Sequence, residues 1–351
     1  MQRSAGVGYP APVSSRALLF VPVLAACVAD PSTSATDSDA GESSTASTTT
    51  SGSSGGGATG STTGVTAPTG TTEATTETTS DATGPTTGDD PGLACNGHVA
   101  LCERRYDEVA YPCTHNSYSS QDAGFTQLVA NQRRTVAVQL EEGVRALMLD
   151  VHIDEGATAL CHGTCTYGKT PHVEVLADIA AFLADNPREI VTILYEDSAD
   201  VADIAADFAA LDLEAKVFVY EGGPFPTLAE MIAADTRLVV TAEQGGPPPA
   251  WYHHLWDLAW DTPYSYMSPD EFSCGLGRGA ADNPLFLVNH WVNSVLDLPL
   301  EMNAIEVNTY EVLHARVVQC MQESGDFPNF VAVDYYERGD LFAVVDALNG
   351  V

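Results

Sequence analysis

Two short motifs of this sequence contain a histidine next to other groups that can do chemistry. THNSY at 114–118 places His115 and Asn116 at the end of an apolar run, and LCHG at 160–163 contains His162. Histidine titrates near neutral pH, so two histidines can serve as a general base and a general acid. These motifs are therefore candidates for a reaction that removes one proton and delivers another.

The residues around these motifs predict the elements that position them. Seven apolar runs have the length of strands, namely 108–114, 145–151, 189–196, 216–220, 237–243, 284–290 and 329–336. The stretches 172–187 and 304–324 repeat apolar residues three and four positions apart, which is typical of amphipathic helices. Strands that are apolar throughout and separated by helices indicate a parallel sheet covered on both faces.

Polar residues end nearly every predicted strand. They are His115, Asn116, Asp150, Glu196, Glu243, Asn289, His290 and Asp334. A TIM-type barrel gathers its chemistry at the carboxyl ends of many strands, whereas an open doubly wound sheet concentrates it at one switch point. The sequence also lacks the glycine-rich turns that bind nucleotides. The pattern favours an α/β fold of the (β/α)8 TIM-barrel type.

Composition divides the chain into a leader and a folded part. Residues 93–351 are close in number to the roughly 250 residues of such a barrel, so one domain is the simpler account. Residues 28–92 are mostly Ser, Thr, Gly and Ala, with hardly a large apolar side chain. Such a segment cannot bury enough surface to offset chain entropy. We therefore expect a disordered tether before the barrel.

Residues 1–27 have the features of an export signal. The apolar run ALLFVPVLAAC ends in small residues and is too short to span a membrane. Its ending also resembles a bacterial lipobox, in which Cys27 becomes the lipidated first residue. A plain signal peptide cut near Ala26 or Ala29 is the alternative. We expect an exported protein, either a bacterial cell-envelope lipoprotein or a secreted one.

Charge limits the partners of the protein. The formal net charge of −34 at pH 7 argues against nucleic acid and against capture by anionic lipid headgroups. No second apolar run is long enough to cross a bilayer, so any membrane attachment would be through the lipid alone. We expect a monomer.

Seven cysteines follow Cys27, and in an exported chain they are most naturally disulfides. The predicted pairs are Cys95 with Cys102, Cys161 with Cys165, and Cys274 with Cys320. Cys113 is then left as a buried free thiol beside His115. Zinc is the alternative, and neither the spacing nor the compartment favours it.

Five segments together carry a family resemblance. They are THNSY, QLEEGVRALMLDVH, LCHG, REIVTILYED and NFVAVDYYERGDL. In order and spacing they resemble the catalytic X domain of phosphatidylinositol-specific phospholipase C. CNGHVALCERRYDEV at 95–109 is similar to the secreted plant- and bacterial-type relatives, and the resemblance covers about 95–351.

The resemblance implies a phosphodiesterase with two catalytic histidines. His115 matches the base that takes the proton from the attacking inositol 2-hydroxyl. His162 matches the group that stabilises the phosphate and protonates the leaving glycerol oxygen. Asp334, at the end of the last strand, is a candidate orienter, because a base needs a partner that fixes its tautomer.

The resemblance also implies a calcium site. Asn116, Asp150 and Glu196 match the ligands of the calcium-dependent branch, and oxygen donors of this kind suit Ca²⁺. The metal-free bacterial enzymes carry arginine at the place of Asp150. The match is incomplete, because Met148 stands where the animal enzymes have a further glutamate.

Cleavage of a phosphodiester also requires positively charged groups near the equatorial oxygens of the phosphate, and contacts to the headgroup. The chain offers few cations near the motifs. The candidate substrate contacts are Arg145, Lys169, Glu243, His290 and Tyr336. Arg145 has a competing explanation, since it could form an ion pair at the bottom of the barrel.

Two other classes of function stay open. The first is a glycerophosphodiester phosphodiesterase or sphingomyelinase-D-like enzyme, whose usual H-R-G or close E-x-D motif fits neither THNSY nor LMLD. The second is a non-catalytic surface lipoprotein with the same barrel. A scaffold has no need of both histidines and three oxygen ligands, which favours the phospholipase C type of phosphodiesterase acting through a cyclic phosphate.

The lipobox hypothesis predicts that Cys27→Ser releases the protein from the membrane fraction, because the acylated thiol would be its anchor. Fractionation followed by immunoblotting measures the change, with Ser38→Ala in the tether as the matched control. A wild-type protein that never enters the membrane fraction contradicts the hypothesis.

Overall fold

A computed structural model describes residues 92–162, 164–294, 296 and 298–351. The predicted signal segment 1–27 with Cys27, and the predicted tether up to residue 91, lie outside the described residues. Export, lipid attachment and disorder of the tether therefore stay predictions.

The described chain alternates strands and helices. The strands are β1 Tyr111–Thr114, β2 Ala146–Asp154, β3 Ala157–Leu160, β4 Thr170–Pro171, β5 Val191–Asp197, β6 Leu238–Ala242, β7 His253–His254, β8 Ala259–Asp261, β9 Leu285–His290 and β10 Phe330–Val333. The helices are α1 Val136–Glu141, α2 His172–Asp185, α3 Val201–Ala210, α4 Leu228–Ala233, α5 Leu255–Leu258, α6 Glu301–Val307, α7 Tyr310–Ser324 and α8 Leu341–Asn349.

Eight of the described strands form a curled parallel sheet in the order β7-β6-β5-β2-β1-β10-β9-β8. Every neighbouring pair along this order is parallel. This is the cyclic strand order of a TIM-type barrel, and the pairing runs from β7 round to β8. The antiparallel strand β3 pairs with β2, and β4 pairs with β3. The predicted fold class is confirmed.

Two predicted elements differ from the structure. The run 216–220 is not a strand, and Val217 forms a single bridge with Leu238 at the start of β6. β5 pairs along the whole of one edge of β6, and β7 pairs with Thr241 and Ala242 at the end of the other edge, so the segment 216–220 meets only the beginning of that edge. The predicted helix 304–324 divides into α6 and α7 at Asn308, whose side-chain amide donates to the backbone oxygen of Asp334.

Alternation along the strands divides the core into two layers. Outward-facing residues pack against the helices, and they include Leu147, Ile193, Val240, Val288 and Val331. Inward-facing residues fill the barrel, and they include Ala146, Leu194, Val239, Leu287 and Ala332. Because successive side chains of a strand point to opposite faces, Met148 and Asp150 share the inward side of β2 with Ala146.

The cysteines pair as predicted. Three disulfides join Cys95 to Cys102, Cys161 to Cys165, and Cys274 to Cys320, and Cys113 is a buried free thiol. Burial raises the pKa of the Cys113 thiol far above its usual range, so it stays protonated. Within the described ranges, no helix has the length and hydrophobicity needed to cross a bilayer.

Candidate active site

His115 and Asp334 form a hydrogen-bonded pair at the carboxyl ends of β1 and β10. His115 Nδ1 lies 2.8 Å from Asp334 Oδ1, and Asn131 Nδ2 donates to the same oxygen at 3.0 Å. The His115 ring stacks on Trp291 with 3.9 Å between ring centroids. With Asp334 accepting the Nδ1 proton, His115 Nε2 is the nitrogen left to accept a proton from a bound molecule.

Two adjoining cavities open beside this pair. The first, of about 50 Å³, is lined by His115, Asn116, Asp150 and Glu196. The second, of about 120 Å³, shares these four residues and adds His162. His162 follows β3 in the turn between β3 and β4, and its side chain is exposed. The structure thus brings both predicted histidines to one opening.

Two carboxylates face each other across neighbouring strands. Asp150 of β2 and Glu196 of β5 are register partners in the parallel ladder. Asp150 is buried and its Oδ2 accepts a hydrogen bond from the Tyr118 hydroxyl at 2.9 Å. Burial, and then the nearby charge of Glu196, raise the pKa of Asp150 well above its usual range. A cation between these groups would relieve that repulsion.

Asn116 completes the predicted calcium ligands. Its backbone φ of 44° is in the left-handed region, which asparagine tolerates better than most residues. Its side-chain amide donates to Asn131 Oδ1 at 3.4 Å, so its oxygen is the atom that a cation would take. No three His, Cys, Asp or Glu side chains of the described chain form a metal-binding group. The predicted set differs from that pattern, because it combines two carboxylates with one amide, and these hard oxygens fit Ca²⁺.

Arg278 supplies a cation that the sequence analysis missed. Its Nη1 donates to both carboxylate oxygens of Glu243 at 2.8 Å, and its Nη2 donates to Asp261 Oδ2 at 2.7 Å. The guanidinium also lies over the rings of Trp256 and Tyr264. Arg278 and Glu243 both line the first cavity. Asp150, Glu196 and Glu243 form an acidic wall of this cavity, and the half-buried Arg278 partly neutralises it.

The signal for Arg278 is in its flanking glycines. A Cβ at Gly277 would lie 2.6 Å from Asp261 Oδ1, and a Cβ at Gly279 would lie 2.2 Å from the backbone oxygen of Ala259. Glycine on both sides lets this loop press against β8. The sequence GRG indicates a close backbone approach. It does not show which strand the loop contacts, because Arg278 lies seventeen positions after Asp261, the last residue of β8.

Two predicted substrate contacts lie at other places on the barrel. Arg145 precedes β2, at the opposite end from the cavities, and donates to Glu189 at 2.7 Å. Parallel strands all run the same way, so a residue that begins a strand cannot reach the edge where the strands end. Lys169 is paired with Asp154 and Glu155 on the surface beside the β2–β3 turn. Neither side chain supplies charge to the cavities.

His290 and Tyr336 are also misassigned as substrate contacts. His290 is fully buried, and its Nε2 lies 2.9 Å from the backbone oxygen of Val307. It follows Asn289, which takes the inward position, so alternation turns His290 away from the barrel interior. Tyr336 follows the left-handed Tyr335, which redirects the chain. Its hydroxyl donates to Glu142 at 2.5 Å. Of the five candidate contacts, Glu243 lines the cavity.

The fold and the site define a class, a TIM-type barrel with a histidine pair and an acidic wall at its carboxyl edge. Residues 101–349 match the family described as PI-PLC X 1. The chain belongs to the PI-PLC X domain family.

Relatives and a solved structure agree with this assignment. "PI-PLC X domain-containing protein 1" of Arthroderma benhamiae is 29% identical over 279 residues, which are 74% of this chain and 90% of that protein. An "Uncharacterized secreted protein" of the same organism is 27% identical, over 73% of this chain and 64% of that protein. The phosphatidylinositol-specific phospholipase C from Listeria monocytogenes superposes with a TM-score of 0.51 at 15% identity, covering 70% of this chain and 95% of that one. The last comparison supports the fold alone.

Glu243 should make stability depend on pH. Burial is the main cause that raises its pKa to about 7, while Arg278 opposes the shift. A carboxyl whose pKa is higher when folded stabilises the folded state at low pH, and this contribution is lost as pH rises through about 7. Glu243→Gln stays neutral, so without added calcium it should match wild type near pH 4 and be more stable than wild type at pH 8. Urea unfolding at both pH values measures this. A variant that is less stable than wild type at pH 8 would contradict it.

Proposed function

We propose that the protein cleaves an inositol phospholipid or a related phosphodiester by attack of a neighbouring substrate hydroxyl on phosphorus. The observation that carries this proposal is the His115–Asp334 pair, which opens onto the same cavity as His162 and the two carboxylates. The family membership supports the reaction class, because the family is named for phosphatidylinositol-specific phospholipase C.

The first step is removal of the proton from the attacking hydroxyl. His115 is the general base at Nε2, because Asp334 fixes the proton of the ring on Nδ1 and stabilises the imidazolium that forms. Stacking on Trp291 holds the plane of the ring. The base is therefore oriented before substrate arrives.

The second step is protonation of the leaving alcohol. His162 lines the same cavity and is exposed, which suits a residue that exchanges its proton with solvent between turnovers. When the hydroxyl and the phosphate are on neighbouring carbons, the product of this displacement is a five-membered cyclic phosphate.

Charge at the site comes from two sources. A Ca²⁺ ion held by the oxygens of Asn116, Asp150 and Glu196 would supply positive charge beside the phosphate. Arg278 lines the same cavity and balances Glu243 and Asp261, so the wall repels an anionic diester less than its carboxylates alone would. Arg278 and Glu243 both line this cavity, and their polar groups suit the hydroxyl groups of a polyol headgroup.

An exposed apolar groove next to the cavity supports a lipid substrate. Its apolar lining is Leu128, Leu300, Met302 and Ile305, and the exposed fractions of Leu128 and Met302 are 68% and 73%. Arg133 and Arg338, both paired with Glu301, also line it. Pro299 lines both this groove and the cavity that contains His162. Contiguous apolar surface of this kind marks an interaction site in most proteins. We assign it to the acyl chains of the substrate.

Loss of either histidine should reduce turnover. General bases and acids each contribute about 10² to 10⁴, so His115→Ala and His162→Ala should each lower kcat by roughly 10² or more. The assay is phosphorus NMR on phosphatidylinositol, glycerophosphoinositol, sphingomyelin and glycerophosphocholine, which also detects the cyclic phosphate. His314→Ala, on α7, is the control and should keep wild-type activity. Full activity without both histidines would rule out this mechanism.

Removal of calcium should act on the same reaction by a different route. A chelator should abolish turnover, and Asp150→Asn and Glu196→Gln should raise the calcium concentration that gives half-maximal rate, because fewer charged ligands bind the ion more weakly. Kinetics across a calcium series measure this shift, and Glu311→Gln on α7 is the matched control. Turnover that the chelator does not change would contradict the role of calcium, while the proposed roles of His115 and His162 would stand.

A further inference from the structure

The turn that carries His162 is closed by a disulfide. Cys161 and Cys165 are four positions apart, and their Cα atoms lie 5.0 Å apart. Cys161 is fully buried, and its backbone N–H donates to the backbone oxygen of Asp150 at 3.3 Å. One end of this bridge is therefore fixed to β2 at the residue whose side chain lines the cavity.

The far end of the turn is fixed by packing. A Cβ at Gly168 would lie 2.3 Å from Phe125 Cδ1, so the backbone of Gly168 lies directly against the Phe125 ring. Phe125 packs edge-on against Tyr118, whose hydroxyl donates to Asp150. Both ends of the turn are therefore connected to Asp150, Cys161 by a backbone hydrogen bond and Gly168 through Phe125 and Tyr118.

The two histidines are held in different ways. His115 directly follows a central strand, and its hydrogen bond to Asp334 and a stacked ring fix it. His162 is exposed, and its backbone belongs to the turn between β3 and β4, so the course of this turn helps to set where the imidazole lies. A group that transfers a proton in the transition state has to be aligned closely, and a misplacement of about 1 Å can cost roughly 10²-fold in rate. The bridge between Cys161 and Cys165 restricts the backbone that carries His162.

We propose that Cys161 and Cys165 are positioning residues for the general acid. Their bridge holds His162 at the opening of the cavity, and loss of the bridge weakens protonation of the leaving group while proton removal by His115 continues. The inference rests on the proposed function, in which His162 is the acid. The inference predicts that only protonation of the leaving group becomes slower. A merely structural bridge would instead change the cleavage rates of all substrates by the same factor.

The test uses the full-length protein with Cys161→Ser and Cys165→Ser combined, and two substrates that differ in leaving group. One is a butyl diester of inositol 1-phosphate, whose alkoxide needs a proton to leave. The other is the 4-nitrophenyl diester, whose leaving group is a stable phenolate and needs no acid. The ratio of the two kcat/KM values does not change with the fraction of folded enzyme, because both rates scale with it.

The combined variant should lower the ratio of butyl to 4-nitrophenyl cleavage by about tenfold or more, and His162→Ala should lower it in the same direction. The matched control removes another bridge, with Cys95→Ser and Cys102→Ser. That bridge lies beside Arg188, which precedes β5 at the other end of the barrel, so the wild-type ratio should persist.

Two results would overturn the inference, and they are distinguishable. A wild-type ratio in the Cys161→Ser, Cys165→Ser variant means that the bridge does not position the acid, while the proposed function stands. A wild-type enzyme that cleaves neither diester defeats the inositol form of the proposed function, and the role of the bridge in that reaction falls with it.

Discussion

Parallel pairing of β1 with β10 is the interaction on which the rest of the site depends. His115 and Asp334 are 219 positions apart along the chain. The ladder aligns Thr114 with Val333, so the next residue of each strand emerges at the same level and the ring meets the carboxylate. β1 also pairs with β2 along its other edge. One strand therefore connects the histidine pair to the acidic wall.

The carboxylates of that wall repel one another, and residues distant in the sequence reduce this repulsion. Burial and mutual repulsion raise the pKa of both Asp150 and Glu243. In our proposal a protein with a net charge of −34 binds an anionic diester, and this requires local cations. Arg278 provides one from a loop, held by Glu243 and Asp261. In our proposal Ca²⁺ provides the other, where two carboxylates and an amide oxygen meet.

The site combines a rigid side with a side built from a turn. His115 belongs to the strand framework, which the chain shares as a fold with the Listeria enzyme at 15% identity. His162 belongs to a turn, and disulfides are stable in the oxidising compartments that exported proteins occupy. A disulfide can hold a short surface turn in place, because it restricts the backbone without a buried core around the turn.

The sequence by itself determined the barrel, the pairs Cys95–Cys102 and Cys161–Cys165, and the residues that end the central strands, because these depend on local period and short spacing. Alternation and strand length are visible in any short window, and polar residues at strand ends mark the carboxyl edge. Tertiary structure alone decided which polar residues share a cavity. Asn289 and His290 are adjacent in sequence, and the pleat sends one inward and the other into the outer core. Arg278 reaches the wall from a loop, and its pairing with Glu243 and Asp261 depends on the curled sheet, which brings β6 and β8 to the same cavity.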